Sequence, residues 1–552
     1  MFFTWDGLVG SDRVDYKTMF TPTIFAAGEP QAPPFVGLDD HIPVLLGAIL
    51  GFQHAMSMIG GLVSSALIIS SLCNFDREIT SYLVSTYLVG SGILSILQIS
   101  RFRIPGTSVY FGTGLTSVLG VTFAIIPVIE HILPIMYSSG FCPTTEDGSP
   151  LPCPDAYGAF LGTSGLCALL EVLFAFVPQS ALLRVLPAIV NGPVILMIGA
   201  ELVGAGMANW AGGSGCMQSG ELCPSPDAPN AHLWGSPQFI FLGFSVFFTI
   251  IACDKWGPPF AKSCSIIVGL IVGCIIAYFN GYIDTQPISD SVPLRFITDQ
   301  SFKVKVYPPL ILPMIAVYMV CLMESIGDIT ATCDVSRVEI EGRVFESRIQ
   351  GGVFSSGISS LIGSQIRVLT VSSFAQNNAV IAITQCASQM VGYFACACLI
   401  LMGTSGKFTS MISQIPDCVL GGMTTFLFCQ VAVSGIRIIS TIEFTRRDRI
   451  VLTISLMFGL ASTLVDNWFE RFFAYYNDKY PMLSGYTDAL KIIIGTGPAI
   501  TGFSGVAANL FFPPLMDNVP VESTPTILEG VEGPLIAEQS TAPTVTYKST
   551  NI

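Results

Sequence analysis

Fourteen apolar runs, each roughly 17–25 residues long, dominate this sequence, and that is the length an α-helix needs to cross a bilayer. They start near Pro43, Ile79, Ser108, Ala156, Leu186, Gln238, Ser265, Pro309, Gly351, Ser373, Ala387, Asp417, Ile450 and Leu490. Inside hydrocarbon a backbone must satisfy its own N–H and C=O groups, so runs of this length predict helices. The expected fold is therefore an all-α membrane protein. A soluble chain of 552 residues would divide into several domains, but composition overrules that: 51% is hydrophobic and only 11% charged, against roughly 25% charged in soluble proteins. The net charge of −14 leaves no basic face for nucleic acid. With four histidines and no ligand spacing among the cysteines, neither a metal nor another cofactor is expected. The N-terminus lacks the basic-then-apolar pattern of a cleaved signal peptide.

Residues 1–42 are polar and Pro-rich and predict a cytosolic leader; 43–510 form the transmembrane part; 511–552, with Pro520, Pro525 and Pro534, predict a disordered cytosolic tail. With the N-terminus inside, most Lys and Arg fall on the cytosolic side, as the positive-inside rule requires. The two long outer loops, about 132–155 and 207–236, contain neither Lys nor Arg. Each carries a cysteine pair, Cys142 with Cys153 and Cys216 with Cys223, and disulfides are plausible on the oxidising side. An even span number places the C-terminus inside too.

The third and tenth runs are interrupted. Tyr110–Thr116 breaks one with Gly112 and Gly114, and Ser372–Gln385 breaks the other with three consecutive amides, Gln376, Asn377 and Asn378. The two lie seven spans apart. So do Met56–Gly61 in the first run and Met323–Asp328 in the eighth. An odd offset reverses orientation, which predicts an inverted repeat. Polar side chains at membrane depth need partners and mark functional sites. Glu324 accepts N–H bonds; Gln376 both donates and accepts, matching a small solute with a mixed polar edge. Asp328 follows Glu324 by four residues, on the same helical face. Two neighbouring carboxylates cannot both ionise cheaply, which offers a route to proton coupling. Ser, Cys and His nucleophile–base sets are absent, so an enzyme is not expected.

The run Gln376-Asn377-Asn378-Ala379…Thr384-Gln385 resembles the signature of the nucleobase–ascorbate transporter family. Gln53-His54 matches a second motif of that family, and Glu324–Arg337 is similar to the eighth-span block of its fungal purine branch. The resemblance implies fourteen spans as two inverted seven-span repeats. It also implies a core domain (approximately 43–180 and 309–405), a gate domain (approximately 181–308 and 406–510) and a homodimer in the plasma membrane. Gln376 points to the xanthine/uric acid type, imported with protons as the core slides against the gate. Site residues carried over are Glu324, Gln376, Phe123, Phe374 and Ala375 for the solute, with Asp328, Asn377, His54 and Gln53 for proton coupling or gating. Among the latter, Asn377 is expected to tie the broken span together and His54 to organise a network that Gln53 joins.

Four positions depart from the family pattern: Ala379 stands for Gly, Gln385 for Arg or Lys, and Ser356 where purine relatives often have Asp; Arg367 is an unexpected charge. Glu171 is a membrane acid with no evident partner. Two other readings stay open from sequence: a carrier of uracil, ascorbate or an anion, and a receptor that binds purine without transport.

Overall fold

The computed structural model describes residues 35–512, apart from 108, 147–149, 214–221, 224–229, 284–285, 341, 443, 466–467, 470, 474 and 476–483. Helices α1 (Val44–Leu72), α2 (Arg77–Ile99), α3 (Ile125–Ser138), α4 (Pro154–Phe174), α5 (Ala188–Trp210), α6 (Pro237–Trp256) and α7 (Ser265–Phe279) follow in order. Next come α8 (Pro308–Val335), α9 (Gly342–Gln365), α10 (Gln376–Thr384), α11 (Gln389–Thr404), α12 (Asp417–Ser440) and α13 (Arg446–Leu464). Seven of the described helices are long and apolar enough to cross a membrane: α1, α2, α4, α5, α6, α8 and α12. The chain is a multi-pass helical membrane protein.

Packing is densest within two sets. Helices α1, α2 and α4 lie against α11, α9 and α8, while α5, α6 and α7 gather around α12. Backbones approach closely where side chains are absent, as membrane helices without a hydrophobic driving force require. A Cβ on Gly421 of α12 would stand 2.0 Å from the Trp210 nitrogen at the end of α5. On α6 and α7 the faces carrying Phe241, Phe248, Ile271 and Phe279 are exposed, an oily surface suited to lipid.

Both interrupted runs contain a short strand at the break. Strand β1 (Leu119–Val121) pairs antiparallel with β2 (Val371–Ser373), with Gly120 opposite Ser372. Two further bonds extend the ladder, Thr122 N–H to Thr370 C=O and Phe374 N–H to Val118 C=O, both 3.0 Å. Each strand therefore satisfies backbone groups that the broken helix cannot. Antiparallel pairing sends α3 and α10 away from opposite ends of the ribbon. Gly120 has to lack a side chain, because a Cβ there would lie 2.5 Å from the Phe374 ring and 2.8 Å from Leu62.

In the loop between α3 and α4, Cys142 and Cys153 are joined in a disulfide; Cys216 lies outside the described residues. Residues 35–42, expected in the leader, dock on the connection after α10. Val36 N–H donates to Gln385 C=O at 2.9 Å and Ala387 N–H to Val36 C=O at 3.0 Å. The Arg337 guanidinium stacks 4.4 Å from the Phe35 ring centre, an attraction between a cation and an aromatic face. The rest of the leader and the tail from 513 onward lie outside the described residues.

Candidate functional site

The paired strands set the site. Glu324, on α8, is half-buried beside them, and one of its carboxylate oxygens, Oε2, accepts from both sides of the ribbon. Ser372 Oγ donates at 2.7 Å and Thr122 Oγ1 at 3.2 Å. The other oxygen, Oε1, meets no donor among the described residues. Two hydroxyls thus fix the carboxylate while half its accepting capacity stays open.

Helices α3 and α10 begin within a few residues of the strands, after Ala124 and Ala375. A helix N-terminus leaves its first N–H groups unpaired and carries partial positive charge. Two of them flank the ribbon that holds Glu324. Gln376 is the first residue of α10; it is half-buried, and its side-chain amide has no partner among the described residues. Ala375 is exposed beside it. What stands open here is one carboxylate oxygen and one amide, an arrangement able to take up a flat solute with donors and acceptors along one edge.

Asn377 and Asn378 turn the other way. Asn377 Oδ1 accepts from His54 Nδ1 at 2.6 Å, and its Nδ2 donates to Thr116 C=O. That one amide joins α1, the loop before β1 and α10. Since Oδ1 can only accept, Nδ1 carries the histidine's proton. His54 Nε2 is buried without a partner, so no hydrogen-bonded chain continues through the ring. His54 thus bridges α1 to α10 through Asn377. Gln53 does not join the network: its Oε1 is buried and unpaired. The reason is geometric, since consecutive residues on a helix point about 100° apart.

Asn378 holds α10 to α8. Its Nδ2 donates to Asp328 Oδ1 at 3.4 Å, and Thr332 Oγ1 donates to its Oδ1 at 2.6 Å. Asp328, one turn beyond Glu324, is thereby clamped to the helix that starts with Gln376. Sequence reasoning passed over Asn378, Thr332, Thr122 and Ser372 as partners. The signal for Asn378 was its place in the amide triplet; Thr332 depends on the packing of α10 on α8, and Thr122 and Ser372 on a strand register between residues some 250 apart in the chain.

Phe123 and Phe374 stack on one another, with ring centres 6.0 Å apart and planes 13° from parallel. Phe428 of α12 meets Phe123 edge-on at 5.4 Å. The Phe374 ring covers Gly61 and Gly120. Both rings are buried; they form a lid of aromatic contact between the ribbon and α12. Phe428 was not among the expected residues.

The departures find physical places. Ala379 is exposed on regular helix, so no left-handed backbone is needed there. Gln385 ends α10 in a left-handed turn, φ 53°, and its Oε1 accepts from Arg337 at 2.8 Å. A cation in its place would repel that guanidinium. Arg367, φ 68°, is the residue that terminates α9; its C=O accepts from Tyr157 at 2.8 Å.

A model of the Permease family matches residues 47–467. The chain belongs to the nucleobase–ascorbate transporter family. A purine permease of Emericella nidulans is 48% identical over 529 residues, covering 95% of this chain and 91% of the relative. The uric acid-xanthine permease of the same organism is 46% identical, covering 94% and 89%. Among solved structures, murine Solute Carrier 26 family member A9, an anion transporter, superposes with a TM-score of 0.51 at 11% identity. It covers 82% of this chain and 67% of that one, and speaks for a shared fold alone. The permease's relatives are carriers, so it is not an enzyme.

Proposed function

We propose that this permease imports an oxidised purine such as xanthine or uric acid together with protons, across the plasma membrane, with both termini cytosolic. The observation that carries this reading is the pairing of open groups at the ribbon: Glu324 Oε1 and the Gln376 amide, each without a partner among the described residues. A purine's N–H donors would meet Glu324, and its donor/acceptor edge Gln376. Free backbone amides at Phe123 and Ala375, the starts of the two half-helices, would line the same space. Glu324 and Asp328, one turn apart, form the acid pair through which a proton would ride with the solute.

In this reading the two packing sets would be the core and the gate, with the Phe123–Phe428 contact between them. An elevator-type cycle would slide the ribbon, with its solute, past α12. Fourteen spans and a homodimer complete the reading. Its purine relatives support the substrate class; 46–48% identity leaves the choice of purine to Gln376 and its neighbours.

The test is uptake of labelled xanthine in cells expressing the chain, with unlabelled purines, uracil and ascorbate as competitors, at acidic and alkaline pH. Purines should compete, ascorbate should not, and uptake should rise at acidic pH. Gln376→Ala should reduce uptake by about 10–100-fold, the cost of leaving a bound polar edge unpaired. Uracil or ascorbate competing as well as xanthine, or Gln376→Ala with unchanged KM, contradicts the proposal.

A further inference from the structure

A second carboxyl lies behind Glu324 and takes no part in the site above. Glu171, near the end of α4, is fully buried. Helix α9 presses close at Gly357, where a Cβ would stand 2.8 Å from the Val172 nitrogen and 3.3 Å from the Glu171 carbonyl carbon. The hydroxyls of Ser356 on α9 and Ser325 on α8 adjoin the carboxyl, yet neither reaches it in hydrogen-bonding geometry. Among the described residues both Glu171 oxygens are unpartnered, and so are the buried hydroxyls of Ser325, Ser355, Ser356 and Ser359.

The titratable groups facing Glu171 are Glu324, Tyr318 and Cys321, all from α8. Helix α9 turns the Ser356 hydroxyl toward it, and among the described residues no Lys or Arg is beside it. An ionised carboxylate so placed would be a buried charge without compensation, and proteins avoid that by pairing or by protonation. No pair is on offer. Ser325, meanwhile, directly follows Glu324 in the chain, so the same short stretch of α8 faces both carboxyls.

We propose that Glu171 is a second proton-binding site of the transport cycle, coupled to the solute through its proximity to Glu324. This rests on the proton-coupled reading given above and assigns a proton to a residue that reading does not use. A solute donating N–H groups to Glu324 holds that carboxylate ionised. A second negative charge at Glu171 then repels it, and a proton on a Glu171 oxygen removes the repulsion. Solute and proton therefore favour the same state, each tightening the other by the same factor. Ser325 and Ser356, each able to accept and donate, are the hydroxyls that adjoin the carboxyl from α8 and α9. One proton loaded on the outer side is released inward when the solute departs and Glu324 is no longer held ionised.

The experiment uses the purified full-length permease in proteoliposomes, as wild type, Glu171→Gln, Glu171→Asp and Asp328→Asn. Xanthine affinity is measured at acidic and alkaline pH, alongside exchange of labelled for unlabelled xanthine and accumulation driven by a pH gradient. Wild type should bind about tenfold more tightly at acidic pH, within the usual range of coupling. Glu171→Gln, permanently neutral, should bind tightly at both pH values, keep exchange and lose accumulation, while Glu171→Asp restores the pH dependence. If Glu171→Gln keeps the wild-type pH ratio and accumulation while Asp328→Asn loses them, this proposal falls and the proton-coupled reading stands. A wild type without pH dependence overturns both. Should Glu171→Gln not fold, infrared difference spectra decide. A protonated-carboxyl band that rises with xanthine and moves in Glu171→Asp supports the assignment; no such band refutes it.

Discussion

Glu324→Gln should abolish xanthine uptake while leaving the amount of folded permease at the membrane nearly unchanged. Gln has almost the shape of Glu, so the Ser372 and Thr122 hydroxyls, at 2.7 and 3.2 Å, keep an acceptor in the amide oxygen. What disappears is the charge and one of the two accepting oxygens. The solute loses charge-assisted bonds, each about 1.5–3 kcal/mol, and meets an NH₂ donor where it presents its own donors. A loss of about 3 kcal/mol or more corresponds to over a hundredfold in affinity. Ser372→Ala, by contrast, removes one supporting hydroxyl and should weaken binding about tenfold. Uptake normalised to fluorescently counted surface protein separates the two. Wild-type affinity in Glu324→Gln would remove the carboxylate from the site.

Gly112→Ala is expected to act at an earlier stage, by preventing the fold. Gly112 has φ +73°, and a Cβ there would fall 1.7 Å from the Ser100 carbonyl oxygen and 2.8 Å from that of Leu97. Both are backbone atoms at the end of α2, so nothing flexible can give way. Left-handed backbone alone costs an L-residue roughly 1–2 kcal/mol, and overlap of this depth adds several more. Stability of proteins is only about 5–15 kcal/mol in all. Most of the variant should therefore be degraded before it reaches the surface. Gly106→Ala is the matched control: φ is +80°, but nothing lies within 4 Å of its Cβ, so the strain acts alone and surface levels should fall little. Equal levels for the two variants would show that the close approach at Gly112 is not a constraint.

Much of this architecture was legible before any coordinates, because its cause is local. Apolar run length marks membrane helices, and the polar interruptions at Tyr110–Thr116 and Gln376–Asn378 mark the breaks, since hydrocarbon tolerates neither without a reason. The break around the third run, however, continues further than its glycines suggest. Gly112 and Gly114 turn the chain, but the strand forms later, at Leu119–Val121. That strand exists only because Val371–Ser373 pairs with it, and pairing between distant segments leaves no periodic trace in sequence. The supporting bonds inherit this blindness: Thr122 and Ser372 reach Glu324 by virtue of the register. Side-chain direction was the other gap. Three amides in a row carried no named partners, yet α10 aims Gln376 at open space, Asn377 at His54 and Asn378 at Asp328. Each successive residue rotates about 100°, and only the placement of neighbouring helices says what each one meets.

The same rotation separates His54 from Gln53 and leaves Gln53 Oε1 without a partner among the described residues. Neighbouring helices likewise supply the account of Gln385, whose uncharged amide suits a helix end facing Arg337.

The claim underlying the whole is that a single solute satisfies both Glu324 and Gln376. An electron cryomicroscopy map of the permease with xanthine tests it most directly. Planar density should bridge Glu324 Oε1 and the Gln376 amide, at about 2.7–3.2 Å from each, between the starts of α3 and α10. Density bound elsewhere, or a xanthine that touches one of these side chains while the other stays turned away, would contradict it.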